Sequence, residues 1–248
     1  MDDDITARHV TITRADATPM RAYLAQPSDA ERAGERRGGV LVIHHLPGFD
    51  RWSKEVTRRL AVMGFDALLP DLYCRMDGLV DDPVAQVWAQ GGIADSQLVD
   101  DARDAVAWLR AQLSSNGRVG VIGFCSGGRH AVLAGCQVPL DAIVDCYGAY
   151  VTGVRTPDFP LNVEAIVDQL PALSGPLLGI FGNDDLHPSP AHIDELEAEL
   201  ARLGKPAQIR RYDGAGHAFL NVDRDTYRAD QALDAWPAIA DFLHSTLD

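Results

Sequence analysis

The sequence predicts an α/β protein with a mostly parallel central sheet, helices on both faces and an antiparallel hairpin at the N-terminus. Short apolar runs such as Val40-Leu41-Val42-Ile43 read as strands buried on both sides. From residue 40 to the end these runs alternate with segments of helical apolar period. Nearly every run also breaks into a loop rich in Gly, Asp, His or Pro, and the carboxyl edge of such a sheet is where ligands bind.

Taken in order, His9–Thr13 and Met20–Leu24 alternate in polarity around the turn Arg14-Ala15-Asp16-Ala17 and predict the hairpin. Residues 27–39 are expected as an exposed loop, 40–43 as the first central strand, and 51–64 as a helix with Val56, Leu60 and Met63 on one face. A strand over 65–70 leads into an irregular stretch, 71–92, before a helix over 94–114 that Ser114-Ser115-Asn116-Gly117 stops. Val119, Val121 and Ile122 form a strand that runs into Gly123-Phe124-Cys125-Ser126-Gly127-Gly128. A helix continues through 131–134, and Ala142-Ile143-Val144 is the next strand. Residues 148–175 carry three prolines and three glycines, which is long for a structureless link and is expected to form a rim or lid. Strands at 176–181 and 209–212 flank a helix over 190–203 that Ser189-Pro190 caps. A helix over 225–246 completes a single domain spanning 1–248.

Composition narrows the function. With 46% hydrophobic and 23% charged residues the chain reads as globular, and a net charge of −14 disfavours nucleic acid or an anionic membrane as partner. The acidic Met1-Asp2-Asp3-Asp4 lacks the basic and apolar regions of a signal peptide. Cys74, Cys125, Cys136 and Cys146 show no Cys-x-x-Cys spacing, so reduced thiols in a cytoplasm are expected. No metal is expected: His44 and His45 are adjacent on an extended segment and point oppositely, and no further ligand set joins them or His187.

Three strand ends carry the chemistry: Cys125, Asp184-Asp185 and His217. A strand that turns sharply into a helix needs residues without Cβ around the turn and exposes the residue at its tip, here Cys125. A helix N-terminus lowers a thiol pKa, which favours the reactive thiolate. Nucleophile, acid, histidine is a recurring chain order for triads on such sheets. The Gly-x-x-Asp spacing selects Asp185 to orient His217, whereas counting back from Pro188 selects Asp184. The elbow places one oxyanion donor at the N–H of Ser126, and the loop after 40–43 offers the N–H of Leu46. His45 and the aromatic residues Tyr73, Trp88, Tyr147 and Phe219 are expected to contact substrate.

Together, Gly-Phe-Cys-Ser-Gly-Gly at 123–128, Pro-Asp-Leu-Tyr at 70–73, Ser-Asn-Gly-Arg-Val-Gly at 115–120, Tyr147-Gly148 and Ala-Gly-His-Ala-Phe at 215–219 resemble the dienelactone hydrolase family. The resemblance runs from about residue 8 to the end. It implies an α/β-hydrolase fold, no cofactor, and hydrolysis of a small-molecule ester or lactone through a thioester; separately, a monomer or weak homodimer is expected. Matched onto this chain, the triad falls on Cys125, Asp185 and His217 and the oxyanion donors on Leu46 and Ser126. Departures from the family pattern are His45 in place of a glutamate, Cys146 in place of a tyrosine, Asn221 in place of an arginine, and no arginine in 78–92. A small carboxylate-bearing dienelactone is therefore an unsuitable substrate. Acyl transfer or lactone-forming cyclisation on the same three residues, and a binding protein that kept the fold, are the alternatives at this level.

Overall fold

A computed structural model describes residues 4–28, 36–76, 78, 80–157, 159 and 161–248. Eight strands form one sheet: β1 (Ile5–Thr13), β2 (Pro19–Pro27), β3 (Arg37–Ile43), β4 (Asp66–Pro70), β5 (Ser115–Phe124), β6 (Ala142–Cys146), β7 (Leu177–Gly182) and β8 (Ala207–Tyr212). Their order is β1-β2-β4-β3-β5-β6-β7-β8. Only β1/β2 and β2/β4 pair antiparallel; from β4 to β8 the neighbours run parallel. The predicted hairpin and mostly parallel sheet are both present, and the architecture is the α/β-hydrolase fold.

The helices are α1 (Arg51–Val62), α2 (Pro83–Ala89), α3 (Asp95–Arg110), α4 (Ser126–Gln137), α5 (Pro190–Arg202) and α6 (Ala229–Leu247). Two adjacent glycines of β3 show how closely they cover both faces. A Cβ on Gly38 would stand 2.7 Å from the Leu247 side chain of α6, and one on Gly39 would stand 3.4 Å from Leu109 of α3. Successive residues of a strand face opposite sides, so α6 and α3 lie on opposite faces. The central strands β3 and β4 are buried throughout, which is why they read as unbroken apolar runs rather than alternating ones.

Some boundaries differ from the sequence reading. Strand β3 starts at Arg37, so Arg37, Gly38 and Gly39 belong to the sheet rather than to the expected 27–39 loop, of which 29–35 fall outside the described residues. Within the stretch read as irregular, α2 forms because the Asp82 side chain accepts the N–H of Ala85 and Pro83 opens the helix. Helix α3 stops at Arg110, five residues before the next strand begins. Among its described residues, the 148–175 connection contains one short 3₁₀ segment, Val167–Ala172. Among the described residues, no helix is long and apolar enough to cross a membrane.

Candidate active site

The turn from β5 into α4 is built by near-contact between backbones. A Cβ on Gly123 would lie 1.8 Å from the carbonyl oxygen of Gly127, and one on Gly127 would lie 2.4 Å from that of Ile43. Between them Cys125 is forced to φ 58° and ψ −122°, a conformation rare for a residue with a side chain. Its N–H donates to the Cys146 carbonyl of β6 at 3.0 Å, and its carbonyl accepts the Gly128 N–H at 2.9 Å. The strain sets the thiol at the head of α4, over the carboxyl edge of the sheet.

Asp185 follows β7 and His217 follows β8, so three strand ends converge there. His217 Nδ1 lies 2.8 Å from Asp185 Oδ2, and the other Asp185 oxygen accepts the His187 N–H at 2.8 Å. Asp185 is buried, whereas Asp184 is exposed and meets Ala215 only through its backbone N–H. The carboxylate that meets His217 is therefore the one the Gly-x-x-Asp spacing selects. The imidazole of His217 also acts on the thiol of Cys125, and each shifts the other's ionisation.

The electrostatics follow from this chain of contacts. Burial alone would raise the Cys125 thiol, but the hydrogen bond and charge of His217 outweigh it, and the thiol is held below its usual value. Burial would likewise depress His217, yet Asp185 and Cys125 overcome it and push the imidazole up to about 10. Both shifts are toward the charged forms, a thiolate beside an imidazolium.

A cavity of about 720 Å³ opens over these groups, with Cys125, Ser126, Leu46, Asp185 and His217 in its wall. Tyr73 lines it too and donates its hydroxyl to the Leu46 carbonyl at 2.8 Å, which fixes the loop after β3. The other residues expected to touch substrate lie elsewhere. His45 turns away, hydrogen-bonded to Asp50 at 2.7 Å and packed on Trp52, and the imidazole in the cavity wall is that of His44. Adjacent residues of extended chain face opposite sides, and the sheet core takes the His45 side. Trp88 stands on α2 outside the lining, 45% exposed. Tyr147 and Phe219 are buried beneath the site, with the Tyr147 ring set edge-on to His217 at 5.3 Å and tilted against Phe219 at 5.8 Å. They support the histidine from below.

Sequence reasoning did not select His44, His130, Ile93, Phe159 or Leu161, all of which line the cavity. His44 donates from Nδ1 to the His45 carbonyl and accepts the Leu72 N–H at Nε2, and burial holds it down at about 4. His130 is pushed down to about 3 by burial and then by the charge of Arg129. A usable signal for His130 was its place on α4 one turn after Ser126, on the same helix face. Phe159 and Leu161 come from the 148–175 connection, together with Tyr150. Tyr150 and Phe159 pack edge-to-face at 4.7 Å, and Phe159 packs in the same way on His187 at 5.3 Å. The expected rim is thus a wall of the cavity.

The family profile of the dienelactone hydrolases matches residues 20–247. The chain belongs to the dienelactone hydrolase family. That family comprises ester and lactone hydrolases. A provisionally named carboxymethylenebutenolidase from Methylorubrum extorquens is 32% identical over 231 residues, covering 90% of this chain and 75% of its own. One from Saccharolobus solfataricus is 27% identical, covering 92% and 95% respectively. The crystal structure of a provisionally named dienelactone hydrolase from Klebsiella pneumoniae superposes with a TM-score of 0.83 at 26% identity, over 97% of this chain and 98% of that one.

Proposed function

We propose that the protein hydrolyses a carboxylic ester or lactone through a thioester on Cys125. The observation that carries this reading is the run from the Cys125 thiol, which His217 lowers, to the hydrogen bond between His217 and Asp185 at 2.8 Å, in the wall of a large cavity. Such a run ionises a nucleophile and keeps its proton within reach of the leaving group.

In this reading the Cys125 thiolate attacks the carbonyl carbon, and the carbonyl electron pair moves onto oxygen. The N–H groups of Leu46 and Ser126 receive that oxyanion. When the tetrahedral species collapses, the leaving alkoxide takes the proton from His217 imidazolium. In a lactone the new hydroxyl stays tethered to the acyl group. A water molecule then gives a proton to neutral His217 and attacks the thioester, and sulfur departs as thiolate. The acid is released and the thiolate–imidazolium pair is restored. Asp185 fixes the tautomer by accepting from Nδ1 throughout.

Rapid-quench mass spectrometry with para-nitrophenyl butyrate tests this mechanism. An acyl adduct on the peptide containing Cys125 is expected, and Cys125→Ala should lose about a thousandfold or more in kcat. An adduct on another residue, or a Cys125→Ala variant that turns over like wild type, would overturn it.

A further inference from the structure

Among the described residues that line the cavity, Arg129 is the only lysine or arginine, and its guanidinium makes four hydrogen bonds within the protein. Nη1 and Nη2 meet the two carboxylate oxygens of Asp95 at 2.7 and 2.8 Å. Nε and Nη2 also donate to the Glu164 carbonyl at 3.1 and 2.8 Å. The Arg129 side chain is 4% exposed and that of Asp95 44%, so the carboxylate is the member of the pair nearer solvent. A two-point match of this kind neutralises the cation and uses the N–H groups that a substrate anion would need.

Away from the reacting centre, where His217 is engaged by Asp185 and Cys125, the wall offers an anion no lysine or arginine in exchange. Asp184 and Glu164 add exposed carboxylates, and Asp185 is committed to His217. His44 and His130 are held neutral by burial, so neither supplies a charge. Ile93, Leu72, Leu161, Phe159, Tyr73 and Tyr150 fill much of the remaining surface with carbon. A carboxylate entering here would lose its hydration without gaining a free cation.

We propose that the cavity takes an uncharged ester or lactone and turns away one that carries a carboxylate, and that Asp95 sets this preference by occupying Arg129. The proposal rests on the hydrolase reading above and adds the substrate class. Asp95 acts here as a specificity residue, placed on α3, remote from the reacting atoms in sequence.

The test compares kcat/KM for para-nitrophenyl butyrate and para-nitrophenyl hemisuccinate, which differ chiefly by a terminal carboxylate. Wild type should favour the butyrate by about tenfold or more, and added salt should narrow the gap by screening the rim carboxylates. Asp95→Asn frees the Arg129 charge and should move the ratio toward the hemisuccinate by about tenfold, while Asp95→Glu should hold it near wild type. A role that is only structural would slow both esters alike. A wild-type preference for the hemisuccinate, or an unmoved ratio in Asp95→Asn, would overturn the proposal. Should Asp95→Asn not fold, Glu164→Gln and the salt series on wild type decide: a ratio insensitive to both counts against it. If neither ester is hydrolysed, the hydrolase reading itself falls. Charge selection is then judged by alkylation of Cys125 with iodoacetamide and iodoacetate, whose rate ratio must shift toward iodoacetate in Asp95→Asn.

Discussion

Asp185 reaches across 32 residues of sequence to place a carboxylate oxygen 2.8 Å from Nδ1 of His217, while its neighbour Asp184 faces solvent. Both aspartates leave the same strand end in a turn that the Asp185 N–H closes on the Gly182 carbonyl at 3.3 Å, with one side chain buried and the other exposed. The inward one is also fixed by the N–H of His187 on its second oxygen. That second contact orients the carboxylate before any substrate arrives.

The first prediction concerns pH. With Cys125 held below the usual thiol value and His217 raised to about 10, kcat/KM should reach its plateau at a lower pH than an ordinary thiol would allow. It should fall on the acid side as the thiolate is protonated, and on the basic side near pH 10 as His217 loses the proton it must deliver. A profile still rising through about pH 8.5, where an ordinary thiol ionises, would count against the ion pair.

The second concerns reactivity. Iodoacetamide at neutral pH should modify Cys125 at least about tenfold faster than the other three thiols, since rate follows thiolate fraction. Burial pushes Cys136 up to about 11 and Cys146 well above the usual value, so both are largely protonated there. Peptide mapping gives the four rates separately; equal rates would remove the special status of Cys125.

A third prediction concerns stability. Asp145, at the end of β6, is fully buried; one oxygen accepts the Gly148 N–H at 2.8 Å. Among the described residues the other oxygen finds no partner. Burial raises this carboxyl from 3.8 to about 7, against the lowering effect of the Gly148 N–H. Between those two values the folded state binds more protons than the unfolded one, so stability falls as pH rises. The loss should amount to roughly 3 to 4 kcal/mol between about pH 4 and pH 7. Asp145→Asn should flatten that slope and leave the variant relatively more stable above neutrality. Urea denaturation at several pH values reads both effects, and a wild-type slope that matches the variant's would refute the assignment.

How much of this was legible in the sequence depends on the distance over which each feature is determined. Cys125 could be found because the elbow is local: glycines at 123, 127 and 128 answer to contacts within a few residues or with the adjoining strand. The alternation of strands and helices and the three strand-end loops also follow from local patterning repeated along the chain. The choice between His44 and His45 could not be made that way. It depends on Asp50 and Trp52 capturing one ring and on Leu72 meeting the other, which is a matter of tertiary phase. Tyr147 and Phe219 were misplaced for a similar reason. An aromatic residue beside a catalytic loop fills the floor under it as readily as the cavity above it. The pairing of Arg129 with Asp95 joins two helices 34 residues apart, and no local spacing encodes it.

The division between the sheet and the 148–175 connection has a consequence for how such a protein can change. Cys125, Asp185 and His217 hang from strands whose mutual hydrogen bonds hold them in place. Tyr150, Phe159 and Leu161 come from chain outside every strand. Substitution or grafting in this connection can therefore reshape what the cavity admits while Cys125, Asp185 and His217 keep their positions. A library confined to this connection would sample new cavity shapes while leaving the three strand ends unaltered.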